Sequence, residues 1–467
     1  MPLGASLLTL PLSFKERISQ QLAQKAEAEA FFQSLLAPPP TSLRLNPAKP
    51  FPIPENWENI PWCKEGRYLP HRPSFTLDPI FHAGGYYVQE ASSMILAAFT
   101  SFKEPVKALD LCAAPGGKST LLAALLPPGS LIWSNELVPA RASILKENCI
   151  RWGYPSHIVT QNQPEELNVC ANFFDYILVD APCSGEGLWR KEPTAAALHW
   201  NPELLTQCVA RQRQILKAAL PLLKVGGTLV YSSCTFNPAE NEENIDWLLK
   251  EYPSILEPKL ISLNREWGWR PLGGEMETSW GWSAWPHRVK GEGFFFALLT
   301  KTGDMNKGAI KKNQRPSAWA KNKTVYEKIS GRYKNIIPQG WLKLQNQELY
   351  PKDNLIFAFS PEETELPRGP RYLKVGAYLG EIKGSDFIPA HDFALSILRG
   401  EDIPQTPLSY EQALAYLKKE EMHCSAPLGH SLATYNGLPL GWINALEKRI
   451  NNKLPASWRI RKAVADF

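Results

Sequence analysis

Apolar residues recur at near-helical spacing from Phe14 to Leu36 (Phe14, Ile18, Leu22, Phe31, Phe32, Leu35, Leu36), and Pro38-Pro39-Pro40 ends the run. The spacing predicts a small helical module over residues 13–36. Ser42-Leu-Arg-Leu-Asn46 then alternates as a short strand, whereas the proline-rich stretch to Asp78 has little regular period. From Gly84 an apolar helix follows, and strands and helices alternate from Val106 to about Leu249. Strands are expected near 106–111, 130–135, 157–161, 176–181 and 227–232, with helices near 117–126, 139–152 and 203–220. Phe294–Thr300 is expected to close the sheet at its far side. This alternation predicts an α/β fold with a doubly wound parallel sheet. Residues 355–467 read as a mixed domain of short strands and turns.

Composition changes this picture in two places. A chain of 467 residues, 44% hydrophobic, can bury several cores, and roughly 150 residues per domain gives about three domains. Net charge is only +5, yet residues 301–330 hold eight Lys/Arg against Asp304 and Glu327. That run reads first as a solvated linker and second as an RNA contact. The eight cysteines include no Cys-x-x-Cys pair and resemble reduced thiols, so no metal site is expected. No apolar run approaches the roughly 18 residues of a membrane span, and Met1–Leu12 lacks a basic signal-peptide start. A cytoplasmic monomer with no membrane partner is expected.

Ligands of doubly wound sheets bind outside the carboxyl ends of the strands. After the first strand stands Asp110-Leu-Cys-Ala-Ala-Pro-Gly-Gly-Lys-Ser-Thr120, whose glycines Gly116 and Gly117 permit positive φ and close backbone approach ahead of a helix N-terminus. Its spacing fits neither a phosphate-binding P-loop nor a dinucleotide fingerprint. What remains is the first turn of an S-adenosylmethionine methyltransferase sheet, or an ordinary strand-to-helix turn. Glu136, closing the second strand, suits a ribose and favours the first reading. Asp180-Ala-Pro-Cys-Ser-Gly-Glu-Gly187 and Ser232-Ser-Cys-Thr-Phe-Asn-Pro238 follow the fourth and fifth strands on the same edge.

Leu111–Lys118, Val179–Gly187 and Tyr231–Glu242 closely resemble the Nop/Sun family of RNA cytosine-5 methyltransferases, with support from Tyr87–Met94 and Pro286–Phe295. The bacterial RsmF-like branch fits best, because Leu373–Lys383, Gly437–Trp442 and Leu454–Arg459 resemble its carboxy-terminal part. The resemblance implies a Rossmann-like class I methyltransferase sheet with a small amino-terminal helical/mixed module and an α+β PUA-like end. The expected partition is an RNA-binding module (1–83), a catalytic domain (84–303), a basic linker region (304–354) and a PUA-like RNA-binding domain (355–467). The cofactor would be S-adenosylmethionine, held by Cys112, Ala113, Ala114, Pro115, Gly116, Gly117, Lys118, Glu136, Arg141 and Asp180. Many family members carry an Asp after the third strand to address the adenine amino group; here Thr160-Gln-Asn-Gln-Pro164 offers Asn162 as its replacement.

Cytosine C5 becomes nucleophilic only after a thiolate adds at C6, and covalent catalysis splits the hard step into easier ones. Cys183 and Cys234 each follow a strand end, and the residues alone do not rank them. The resemblance makes Cys234 the nucleophile, gives Cys183 a part in proton removal or release, and lets Asp180 hold the cytosine edge. A DNA cytosine methyltransferase would instead use the Pro-Cys thiol as nucleophile. Arg44, Arg190, Lys191, Arg288 and Lys290 are expected to contact RNA. The function implied is methylation of cytosine C5 in ribosomal RNA of the small subunit, with the rRNA or the subunit itself as partner. The alternatives are a tRNA cytosine-5 methyltransferase and a non-catalytic RNA-binding assembly factor.

Overall fold

The computed structural model describes residues 10–191, 200–272, 278–305, 336–360, 363 and 366–462. Most of the basic run at 301–330 therefore lies outside the described residues. The centre is a sheet of β1 (Lys107–Asp110), β2 (Leu131–Asn135), β3 (His157–Thr160), β4 (Phe174–Asp180), β5 (Leu223–Ser233), β6 (Gly281–Ala284) and β7 (Phe294–Lys301), in the order β6-β7-β5-β4-β1-β2-β3. The five strands from β3 to β5 run parallel, and β7 and β6 are antiparallel additions.

Successive side chains on a strand point to opposite faces. Leu109, Trp133, Ile158, Ile177, Val179 and Tyr231 accordingly fill one apolar cluster, while Ala108, Ile132, Tyr176, Leu178 and Val230 fill another. Both faces are dry, which is why these strands read as continuous apolar runs. The chain winds outward from β1 in both directions, so a crevice opens at the carboxyl ends of β1 and β4.

The amino-terminal run is two helices, α1 (Leu12–Leu22) and α2 (Lys25–Leu36), broken where Ala23 takes φ 58°. Their buried face (Phe14, Ile18, Phe31, Leu35) packs on Trp189, Phe236 and Trp285, beside the loops that leave β4 and β5. The strand expected at 42–46 is Thr41–Leu45, and its antiparallel partner Cys63–Leu69 lies in the stretch without clear period. There Gly66 interrupts the alternation, with no room for a side chain against Ile60.

Three other differences concern the ends of the sheet. Phe294–Lys301 is not its far edge, because Gly281–Ala284 and then Arg270–Leu272 add beyond it. Tyr372–Lys374 pairs antiparallel with β3, so the carboxy-terminal third supplies an edge of the central sheet. Glu348–Lys352 pairs with Leu355–Phe359, so that end of the expected linker is strand. The carboxy-terminal part holds two four-stranded sheets, one of them Gln405–Pro407, Gly429–Tyr435, Leu438–Leu446 and Arg449–Asn452. Leu43, Leu45, Ile80 and Tyr86 share an apolar cluster with Leu414, Leu438 and Leu440, which joins the two ends of the chain. No helix among the described residues is long and apolar enough to cross a membrane.

Candidate active site

A pocket of about 450 Å³ opens in the crevice, lined among others by Tyr87, Asp110, Cys112, Gly117, Lys118, Asp180, Lys191 and Cys234. Between β1 and α3 (Gly117–Leu125) the chain turns at Gly116, whose φ of +112° is a conformation that side-chain-bearing residues rarely adopt. Gly117 differs. A Cβ there would meet Tyr87 and Gln89 at 3.4 and 3.6 Å, ordinary contacts, so its bare face serves the pocket and not the turn. Gly117→Val is accordingly expected to leave the melting temperature almost unchanged and to weaken cofactor binding about 10–100-fold, the scale of an overpacked contact. Calorimetry beside a thermal melt checks this, and undiminished affinity would make the position merely structural.

Behind the turn lies Arg44, one of the expected RNA contacts. It is 1% exposed. Its guanidinium donates to Gln89 Oε1 (2.9 Å), Thr120 Oγ1 (2.6 Å) and the Gly117 carbonyl (3.2 Å), and lies 4.4 Å over the Trp152 ring. Burial lowers its pKa to about 10. Arg44 therefore braces the first turn of α3 from inside and cannot reach an RNA on the surface.

Two buried acceptors test whether the site fits S-adenosylmethionine. Asp110 Oδ2 accepts from Ser119 (2.6 Å), but its buried Oδ1 has no donor among the described residues, and burial raises the carboxyl to about 7. Glu136 Oε1 accepts from the Val138 N–H (2.9 Å), and its buried Oε2 likewise lacks a donor, with Arg141 Nη1 at 3.6 Å. Unsatisfied buried acceptors are costly. An ammonium group and ribose hydroxyls are the donors these positions lack, so the residues fit the cofactor. Asp110 had been read only as the start of the motif. Arg141 donates to the Ala114 carbonyl (2.9 Å) and thus steadies the turn. Asn162 is placed otherwise than expected: its amide oxygen accepts from the Arg371 N–H (3.0 Å) and its amide nitrogen faces Glu166 (3.2 Å). It joins β3 to the carboxy-terminal edge strand.

The loops after β4 and β5 bring the predicted chemistry together. Cys183 Sγ and Cys234 Sγ are 3.2 Å apart. Cys234 is the exposed one and lines the pocket; Cys183 sits behind it. A hydrogen bond from Cys183 draws the Cys234 thiol below its ordinary pKa, against desolvation and the Asp180 carboxylate and with help from Lys118 and Lys191. That same bond, with burial, raises Cys183 and keeps its proton in place. Lys118 Nζ meets Asp180 Oδ2 at 2.8 Å, and Ser232 donates to Asp180 Oδ1 at 2.8 Å. Burial would lower Lys118, but the Asp180 carboxylate outweighs it and the ammonium is held.

Two acids printed in the motifs, Glu186 and Glu240, were assigned no role from sequence, and both are fully buried. Glu240 accepts from the N–H and hydroxyl of Ser184 and from Gln212, fixing the loop of Cys183. Glu186 accepts from Thr235 Oγ1 (3.1 Å), the Phe236 N–H (3.2 Å) and Trp200, and pairs with Arg17 of α1 at 2.6 Å. Gly187 N–H donates to the Cys234 carbonyl at 2.8 Å, and a Cβ at Gly187 would lie 2.2 Å from that oxygen. The only sequence signal for these acids was their position inside otherwise small-residue loops.

Of the other expected RNA contacts, Lys191 is exposed at the pocket. Arg190 donates to the Ala37, Pro38 and Gly291 carbonyls, which places it between α2 and the catalytic domain. Arg288 pairs with Glu27 (2.5 Å) and Lys290 with Glu58, both against the amino-terminal module.

Comparison with known proteins agrees with this geometry. Residues 99–300 match the family model for 16S rRNA methyltransferase RsmB/F, residues 10–91 that for the N-terminal domain of 16S rRNA methyltransferase RsmF, and residues 403–460 that for the methyltransferase RsmF PUA domain. Ribosomal RNA small subunit methyltransferase F of Shewanella loihica is 30% identical over 85% of this chain and 83% of its own length. The Enterobacter protein of that name is 28% identical over 95% of both. Among solved structures, PH0851 superposes with a TM-score of 0.56 at 28% identity, covering 62% of this chain and 66% of its own. NSun6 from Pyrococcus horikoshii, solved with SFG, reaches 0.52 at 21% identity over 63% of this chain and 99% of its own, a likeness of fold. With all three parts matched in order around a pocket suited to S-adenosylmethionine, the chain belongs to the RsmF family of S-adenosylmethionine-dependent 16S rRNA methyltransferases.

Proposed function

We propose that the protein methylates C5 of a cytosine in 16S rRNA through a covalent bond between Cys234 and C6 of the base. The observation that carries this reading is the thiol pair: two sulfurs 3.2 Å apart, the pocket-facing one drawn toward thiolate and its neighbour kept protonated. Cys234 attacks C6, the N3–C4 edge takes up the charge, and C5 becomes enamine-like. Bound S-adenosylmethionine would supply an electrophilic methyl group to that carbon, its S–CH3 bond breaking to leave a neutral thioether. A base then removes the C5 proton and the C6–S bond breaks, returning the electron pair to the ring and the thiolate to Cys234. Once Cys234 is bonded to C6 it no longer holds the Cys183 proton, so Cys183, 3.2 Å away, is the group placed to ionise and serve that last stage, while Asp180, held by Lys118 and Ser232, meets the cytosine edge. Residues 112–118 would hold the cofactor, with Asp110 and Glu136 as acceptors for its polar groups. A base inside a stack cannot reach this pocket, so the target is unpaired or extruded. The amino-terminal module and the PUA-like end hold the surrounding rRNA, and Lys191 meets a phosphate at the pocket mouth.

Bisulfite sequencing of rRNA and tRNA from a strain lacking the protein tests this reading. The expected result is loss of 5-methylcytosine at one or more 16S positions, restored by the intact chain and not by Cys234→Ala. An unchanged map would overturn it, and loss confined to tRNA would reassign the substrate.

A further inference from the structure

Beside the catalytic pocket lies a second depression of about 410 Å³, lined chiefly by Arg72, Phe75, Phe81, Tyr87, Val88 and Lys462. Tyr87 and Val88 line both, so the two are neighbours. Three chain segments far apart in sequence build it: the stretch before and after the Pro79–Ala83 helix, Asn148 of the catalytic domain, and Lys462 at the carboxy-terminal side. The shared apolar cluster between the two chain ends is what brings Lys462 toward Arg72.

The lining has a definite chemistry. Phe75, Phe81 and Tyr87 are each only partly buried and offer ring surface, and Arg72 Cζ lies 5.3 Å over the Phe75 ring. Arg72 and Lys462 supply two cations, and no carboxylate is among the lining residues. Aromatic rings beside cations, with no anion to compete, are what a single-stranded nucleic acid selects: bases stack on the rings and phosphates meet the charges. The volume falls within the range of small-ligand sites. A base turned into the catalytic pocket also pulls its neighbour out of the stack, and that neighbour needs a surface within reach of the pocket mouth.

We propose that this depression binds a nucleotide of the same rRNA strand next to the methylated cytosine, its base against Phe75 and Tyr87 and its phosphate between Arg72 and Lys462. The assignment rests on reading the Cys234 pocket as the place where the target base reacts. It makes Arg72, Phe75 and Lys462 determinants of RNA affinity with no part in the chemical step.

The test uses the full chain and two RNA probes, small ribosomal subunits from the deletion strain and deproteinised 16S rRNA. Arg72→Gln combined with Lys462→Gln should raise KM for subunits about tenfold, leave kcat at saturating RNA and cofactor affinity unchanged, and flatten the dependence of log affinity on log salt by about 0.7, the value for one phosphate contact on a single strand. Phe75→Ala, accepted only if its melting temperature is retained, should raise KM about 5- to 100-fold, the range of one lost stacking contact, without changing the salt slope. Wild-type KM and salt slope in the doubly neutralised variant would overturn the proposal. So would a loss of affinity for subunits that leaves binding to deproteinised rRNA intact, since the depression would then dock on protein. A wild-type enzyme that modifies no cytosine would instead sink the catalytic reading, an outcome separate from either.

Discussion

Cys234→Ala is expected to abolish both methylation and any covalent protein–RNA species, a loss on the order of 10⁴-fold or more, as for removal of other catalytic nucleophiles. Cys183→Ala should behave differently. The thiolate of Cys234 can still add to C6, and the methyl group can still be transferred, but the C5 proton is then lost slowly and the adduct accumulates. A denaturing gel with labelled RNA and cofactor would show the adduct as a retarded band in Cys183→Ala alone. The structure adds a cost: Cys183 donates the hydrogen bond that lowers Cys234, so its removal should also slow adduct formation and shift its pH midpoint upward. The sign follows from the direction of the shift. A thiol whose pKa is lowered reaches thiolate at lower pH, and losing that stabilisation moves the midpoint to higher pH. If the adduct instead formed in Cys234→Ala and disappeared in Cys183→Ala, the two roles would be exchanged.

The second large effect is expected at a residue outside the cofactor turn. Glu186 is fully buried and receives Arg17, Thr235, Trp200 and the Phe236 N–H, so one carboxylate ties α1 to both thiol-bearing loops. Glu186→Ala leaves these donors unsatisfied and should destabilise the protein by about 3–5 kcal/mol, the scale of a broken buried ion pair. Because it also frees the loop around Glu186 and that around Thr235 and Phe236, kcat should fall about 10²-fold in the surviving folded protein, as a displacement of roughly 1 Å at reacting groups does. Cofactor affinity, set on the β1–β2 side, should stay near wild type. Melting, calorimetry and single-turnover rates measured on one preparation separate these terms. A lowered melting temperature with an unaltered rate would confine Glu186 to stability.

The strands and helices from β1 to β5 were legible because both faces of the sheet are dry, and apolar runs of strand length between glycine and proline breaks leave little else for the chain to do. Cys63–Leu69 was not legible: Lys64, Glu65 and Arg67 mask its buried positions, and only pairing with Thr41–Leu45 fixes them as a strand. The turn at Gly116 and the two thiols stood out through residue type, which a short motif preserves. Arg44 could not be read this way. An arginine in an alternating strand looks like a surface charge, and its burial depends on Gln89, Thr120 and Trp152, which come from elsewhere in the chain. Asn162 misled for a related reason, since its partner Arg371 lies about 200 residues away, beyond the reach of any local pattern.

That distant partner belongs to the strand Tyr372–Lys374, and the pairing carries a consequence for how the protein is made. Thr160 must wait for Tyr372, with roughly 210 residues of chain between them. At about 5–20 residues per second of synthesis, the outer hydrogen-bonding row of β3 stays open for about 10–40 s after it leaves the ribosome. An unpaired row of this kind is a template for pairing with another chain. Lys374, which ends up donating to the His157 carbonyl at 2.7 Å, is the residue that finally closes it. A catalytic domain cut off before this strand would keep that open row permanently and present it to its own copies.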